Sequence, residues 1–295
     1  MRVDLDGKQV WQQEAGAFHS EHGYEDLLNI FREQMKDAGV EVIFNTIVDR
    51  VEWTSGRVAI KAHKNEVREN GDALKFSASR VLITLPLGVL QASVNSTDED
   101  GAVRFNPALP VNKREAMQKL VMGKVIRIVL RFRRRFWDEI SPPAQSSKTL
   151  ADMNFLFSED EWFPTWWTTM PDKLPIITGW APFDCAERLS GKSRSFVIDR
   201  ALHTLGTLLH VQTLELAALL EGAYFYDWQS DPYSLGAYSY GAVGSDGAQQ
   251  ALGSPVEDTL FFAGEATDIT GHNGTVHGAI ASGRRAAQDI LNTLA

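Results

Sequence analysis

Leu260-Phe261-Phe262-Ala263-Gly264-Glu265-Ala266-Thr267, a short loop, and then Gly271-His272-Asn273-Gly274-Thr275-Val276-His277-Gly278-Ala279, running on to Leu294, is the stretch that organises this chain. It reads as a buried apolar strand ending on Gly-Glu, a glycine-rich turn, and a helix whose first turn begins near Gly274-Thr275. The free N–H groups of a helix start favour an anionic or electron-rich oxygen. A carboxylate only accepts hydrogen bonds, so Glu265 suits hydroxyls. Together they make a place for a polar ligand, and the alternative is a strand–turn–helix corner that only packs.

The 295 residues suit one large or two ordinary domains, with enough chain to bury a sizeable core. Hydrophobic content of 44% and charged content of 23% are those of an ordinary globular protein. A net charge of −9 speaks against a nucleic-acid binder, which carries a basic surplus. The lone Cys185 leaves no internal disulfide and no cysteine-rich metal site. Met1–Gly16 is polar and charged, unlike a signal peptide, and no apolar run reaches bilayer length. A cytoplasmic location without membrane attachment is the expectation.

Outward from that stretch, the first 22 residues show no period. Tyr24, Leu27, Leu28, Phe31 and Met35 make one face of an amphipathic helix closed by Gly39. Strands are expected over Val40–Phe44, Val48–Trp53, Val58–Ala62 and Ala73–Ser77. Arg80–Pro86 reads as a strand buried on both faces and stopped by proline. Residues 95–100 read as a hinge. Val111–Val121 is helical and Val125–Phe132 a strand, with a loop over 141–147. Strands follow over Phe155–Phe157, Pro164–Thr169 and Leu174–Ala181. Helices over Arg194–His210 and Leu214–Leu220, a strand over Ala223–Trp228 and a turn over Asp231–Gly236 complete the middle. Two α/β pieces, about 22–95 and 240–295, thus flank a mixed middle whose tryptophans are expected mostly in the core. A domain inserted into a split domain leaves a cleft at the junction.

Six pieces in series carry a resemblance: Gly23-Tyr24 before a helix, Val48-x-x-Val51, Leu85-Pro86-Leu87-Gly88-Val89-Leu90, Met122-Gly123 before a strand reaching Phe136-Trp137, Trp228-x-x-Asp231-Pro232-Tyr233-x-x-Gly236-Ala237-Tyr238, and Phe262-Ala263-Gly264-Glu265 through Thr275-Val276-His277-Gly278. In that order they resemble the flavin-dependent amine oxidases, a family that includes monoamine and polyamine oxidases and histone lysine demethylases. The resemblance implies an α/β (mixed α+β) fold. A partial, Rossmann-like FAD domain (22–95 and 240–295) is interrupted by a substrate domain (96–239, with 1–21 attached) on a mixed sheet flanked by helices.

It also implies roles. Val48 meets the adenine through its backbone, and Glu265, after Gly264, binds the ribityl hydroxyls. Gly274, Thr275 and Val276 open the helix aimed at the flavin pyrimidine. Trp228 borders the flavin, and Tyr238 is one wall of the aromatic cage for the amine, a reading preferred to that of a plain sheet aromatic. The implied chemistry is hydride removal from the carbon next to an amine nitrogen, with oxygen then reoxidising the flavin.

Four departures stand out. No G-x-G-x-x-G turn is present to hold the pyrophosphate, so the first βαβ unit is expected to be missing, or supplied by a partner chain. Where many members carry a lysine four residues after the Met-Gly glycine, this chain has Arg127, which keeps the charge but cannot release a proton near neutral pH. The second cage wall is His272, which reads equally as a turn residue making a backbone contact. Ala237 stands where monoamine oxidases carry the flavin-linked cysteine, so FAD is expected to be non-covalent. Two readings remain open, an FAD-dependent amine oxidoreductase and a silent remnant or interaction module that does not bind FAD alone. No metal site is expected.

Overall fold

The computed structural model describes residues 2–3, 9–10, 24–65, 73–95, 100–141 and 149–294. Most of the expected hinge at 95–100 and loop at 141–147 lies outside them, as does nearly all of the unassigned start.

The chain divides into two units, Met1–Thr46 and Ile47–Ala295. The first pairs β1 (Arg2–Val3) with β2 (Gln9–Val10) antiparallel, followed by helix α1 (Glu25–Asp37). Glu25 and Asp26 in the first turn and Lys36 in the last match the helix dipole. Gly39, at φ 69°, takes the left-handed conformation that ends the helix where the sequence placed its stop. No residue of α1 is buried. Val40–Phe44 is not a strand, contrary to the expectation. Its apolar pattern favours one, but a strand exists only through lateral hydrogen bonds, and no described segment pairs with it.

The second unit opens on β3 (Thr46–Thr54), β4 (Arg57–Lys64), β5 (Leu74–Ala78) and β6 (Val81–Ile83). Helix α2 (Leu87–Asn95), β7 (Arg104–Asn106), α3 (Val111–Lys119), β8 (Leu120–Gly123) and β9 (Val125–Phe132) follow. Next come β10 (Phe155–Phe157), β11 (Thr165–Thr168), β12 (Ile176–Pro182), α4 (Asp184–Leu189), α5 (Arg194–Leu209) and α6 (Thr213–Leu219). The unit ends with β13 (Leu220–Tyr224), β14 (Tyr238–Gly241), α7 (Ala248–Gly253), β15 (Leu260–Phe262) and α8 (Val276–Asn292).

The meander forms as expected, and β7 adds to β3 in parallel to give the order β5-β4-β3-β7. β6 and β15 pair in parallel, Leu260 opposite Val81 and Phe262 opposite Ile83. β15 is fully buried, but Leu82 of β6 is 36% exposed, so the expected burial of this run on both faces holds only in part. The largest sheet is antiparallel, in the order β10-β11-β12-β9-β13. The expected strand over Ala223–Trp228 is shifted: pairing with β9 draws Leu220 into β13, which ends at Tyr224.

Strand period explains how that sheet divides its side chains. Ile126, Ile128, Leu130 and Phe132 of β9 are fully buried, while Val125, Arg127, Val129 and Arg131 point to the other face. The buried face meets α5 and α6 in one core with Trp137, Trp166 and Phe163. A Cβ on Gly179 of β12 would sit 2.7 Å from the Trp166 ring, so the absent side chain is what admits the indole. A second core is built from Val51, Trp53 and Val58, from α2 and α3, and from α7 and β15, elements taken from both flanks of the first. Among the described residues, no helix is long and apolar enough to cross a membrane.

Candidate functional site

Parallel strands offer ligands their carboxyl ends, where the chain leaves the sheet. The ends of β6 and β15 open on one cavity of about 930 Å³, lined by Thr84–Leu87 from the first and Ala263–Thr267 from the second. The volume falls within the range of small-molecule and cofactor sites. The opposite wall is the outward face of the large sheet. Arg127, Trp167 and Trp180 stand on it, with Tyr224 at the end of β13 and Tyr226 and Trp228 beyond it. Two tryptophans expected in the core, Trp167 and Trp180, thus line the cavity beside Trp228, which was expected there. Their composition gave no sign of this, because the outcome depends on strand parity.

Gly264 has φ 121°, a conformation favouring glycine, and a Cβ there would meet nothing within 4 Å. The chain bends there into a single helical turn. Arg285 of α8 pins that turn by donating to the carbonyls of Phe262 (2.5 Å) and Thr267 (3.1 Å). Ser282 of the same helix accepts from the Gly264 N–H at 3.0 Å. Glu265 then ties three segments together. Its carboxylate accepts from the Ser239 N–H (2.9 Å), the Ser239 hydroxyl (2.8 Å) and the Gly274 N–H (2.7 Å). Those bonds leave about one of roughly four acceptor positions for anything in the cavity.

Asp268, only 2% exposed, shapes the loop before α8. It accepts from the Thr270 N–H and hydroxyl and from the His272 N–H. Burial alone would raise its carboxyl, but these donors outweigh burial and hold it below the ordinary value. Because the folded pKa is depressed, its stabilisation exists above the unfolded value and is lost as pH falls through the folded one. Asp268→Asn is expected to cost about 1–3 kcal/mol near neutral pH. The deficit should shrink toward pH 3 when urea unfolding of the two proteins is compared.

The closing helix starts where the sequence placed it. Thr275 caps it by accepting from the Gly278 N–H at 3.1 Å. A Cβ on Gly278 would lie 2.3 Å from the His272 carbonyl oxygen, so glycine there allows the turn to close. The N–H groups of Val276 and His277 meet no acceptor among the described residues, and Thr275 and Val276 are exposed.

Of the residues singled out from the sequence, Arg127, Trp228, Tyr238, Gly264 and Glu265 line the cavity. Tyr238 opens β14 opposite Gly123, and burial raises its phenol. Val48, His272, Gly274, Thr275 and Val276 stand outside the lining. Val48 packs against the second core. The main chain of His272 donates to Asp268 and accepts from the Thr275 hydroxyl, the backbone role weighed above, while its ring lies 6.2 Å from that of His277. Asp268 and Lys113 escaped the sequence reading. Lys113 fell on the buried stripe of α3 with Ala116 and Met117, which is the signal that could have found it.

Donors, aromatic walls and open space at Gly264 suit a flat, polar-edged cofactor. Consistent with this, residues 6–291 match the model of the family described as flavin-containing amine oxidoreductases. The chain belongs to that family. It is 30% identical over 293 residues to lysine-specific histone demethylase 1 homolog 3 of Arabidopsis thaliana, covering 96% of this chain and 17% of the relative. It is 29% identical over 255 residues to polyamine oxidase 3 of Oryza sativa subsp. japonica, covering 85% of this chain and 48% of the relative. Its fold resembles that of a putrescine oxidase variant redesigned in cofactor binding, with TM-score 0.69, 20% identity and coverage of 92% and 53% of the two chains. The chain therefore spans about half or less of the length of these relatives.

Proposed function

We propose that this chain forms the isoalloxazine- and substrate-facing part of an FAD-dependent amine oxidase. The observation that supports it best is the cavity of about 930 Å³ between the β6 and β15 ends and the aromatic sheet face. When bound, FAD supplies the acceptor for a hydride from the carbon next to the amine nitrogen, and oxygen regenerates it.

The residues present would act by holding and orienting. Gly264 lets the ring system approach the backbone, and Glu265, braced by Ser239 and Gly274, keeps one acceptor for a ribityl hydroxyl. The unpaired amides at the start of α8 offer donors and a positive helix end to the ring edge that gathers charge on reduction. Val48 reaches the adenine through its main chain. Trp228 and Tyr238 border the reacting centre, with Arg127 as a fixed positive charge, while His272, outside the lining, acts through its main chain. Ala237 offers no nucleophile, so binding is non-covalent. With no G-x-G-x-x-G turn in this sequence, the pyrophosphate is held by a segment outside these residues, in the same or a partner chain. We assign 22–95 and 240–295 to the cofactor domain and 96–239 to the substrate domain, which contains the whole first core, although Val103, Leu109, Ala116, Met117 and Leu120 of that middle segment pack into the second. A small amine is the substrate in this reading, and the setting cytoplasmic.

One observation favours the second reading, a silent module. Glu265 is already engaged by its own chain. Purified protein titrated with FAD separates the two. A bound flavin band near about 450 nm that bleaches on adding an amine without air supports the enzyme. Protein that stays colourless with saturating FAD supports the module.

A further inference from the structure

Among the described residues, Arg127 is the only cation lining the cavity, and Glu265 the only carboxylate. Glu265 already holds three donors. Arg131, four residues on and on the same sheet face, reaches Glu221 at 3.3 Å, whereas the Arg127 guanidinium has no hydrogen bond or ion pair among the described residues. Around it stand Val125 and Val129 on its own strand and Trp180 directly opposite on β12. These side chains donate almost nothing and accept nothing. Its guanidinium is open to the cavity, and any ligand that displaces solvent there must give it an acceptor or leave a charge unpaired beside apolar walls.

We propose that Arg127 receives a carboxylate, so that the substrate is an amine carrying a carboxylate on an apolar or aromatic body. This deepens the reading of the cavity as an amine oxidase site and rests on it. The planar guanidinium pairs with a carboxylate through two parallel hydrogen bonds. The body then lies against Trp167 and Trp180, and the amine end faces the rings of Tyr238 and Trp228. A diamine fits poorly, because it brings two cations to a wall that holds one and offers no free carboxylate.

The test is calorimetric titration of the whole chain, with and without FAD, using probes that share a body. These are phenylalanine, 3-phenylpropanoate, 2-phenylethylamine and butane-1,4-diamine. Phenylalanine and 3-phenylpropanoate are expected to bind about tenfold or more tighter than 2-phenylethylamine, as suits a charge-assisted pair. Arg127→Gln should bring the three phenyl probes within about twofold, and Arg127→Lys should keep part of the preference. Tighter binding of either plain amine, a preference surviving in Arg127→Gln, or no binding of the carboxylates overturns the proposal. The visible spectrum keeps the two questions apart. Carboxylate preference without flavin uptake leaves this assignment standing and removes the oxidase reading. Flavin uptake with diamine preference does the reverse.

Discussion

Lys113→Met is expected to lower stability by about 3 kcal/mol and to remove a rise of stability with pH. Lys113 is 1% exposed, yet its ammonium is fully engaged. It donates to the carbonyls of Ala251 (2.9 Å) and Leu252 (2.6 Å), and to that of Ser254, all at the end of α7, and lies 4.2 Å from the Phe262 ring centre. A helix end carries partial negative charge, so the contact is a buried C-terminal cap joining α3, α7 and β15. Methionine fills the stem volume but leaves three carbonyls without a donor, and loss of one partner of a buried charged contact costs several kcal/mol.

The pH dependence has a definite sign. Burial, with Arg285 nearby, pushes the Lys113 ammonium down from 10.5 to about 7. Between those values the unfolded chain binds the proton more tightly, so stability climbs with pH in wild type, and below about 7 the slope vanishes. The methionine variant lacks this contribution. Urea unfolding of both proteins from pH 6 to pH 9.5 checks it. Equal stability would remove the cap, and a constant difference would mean that the carbonyls keep the proton in place despite burial.

Glu265→Ala is expected to cost about 2–4 kcal/mol in flavin-free protein and to weaken FAD binding on the order of 10- to 100-fold. The substitution strands the N–H groups of Ser239 and Gly274 and the Ser239 hydroxyl, loosening the joint between β14 and the loop that leads to α8. Glu265→Gln should recover part of the loss, because its carbonyl accepts where its amide cannot. A carboxylate that served only the cofactor would leave the flavin-free protein's unfolding unchanged, so calorimetry without FAD separates bracing from binding. An unaltered melting temperature in Glu265→Ala would contradict the bracing role.

Periodicity and end signals made much of the fold legible. The alternation in Val125–Phe132 gave β9, and α5 runs between the Ser193 cap, which accepts from the Phe196 N–H, and His210 in left-handed conformation. The strand–turn–helix stretch was readable because a solid apolar run, a Gly-Glu corner and a threonine cap agree. What escaped depends on partners distant in sequence. Tyr238–Gly241 is short and half polar, and becomes a strand only because β8 lies beside it. Val40–Phe44 is the converse, a good strand pattern with nothing described to pair with. Helix α2 follows a proline, which marks both a stop and a first-turn start. In the site, residue types suggested Glu265 and Arg127, but only the coordinates reveal that one is engaged and the other unpaired.

In the proposed enzyme the isoalloxazine lies in the cavity between Gly264–Thr267 and the aromatic sheet face. A crystal structure of the chain grown with FAD tests it most directly. The expected density places the ring system within about 4 Å, van der Waals distance, of Gly264 and Trp228, with its pyrimidine edge toward the amides of Val276 and His277. Density for FAD elsewhere, or a cavity that stays empty at saturating FAD, would contradict it.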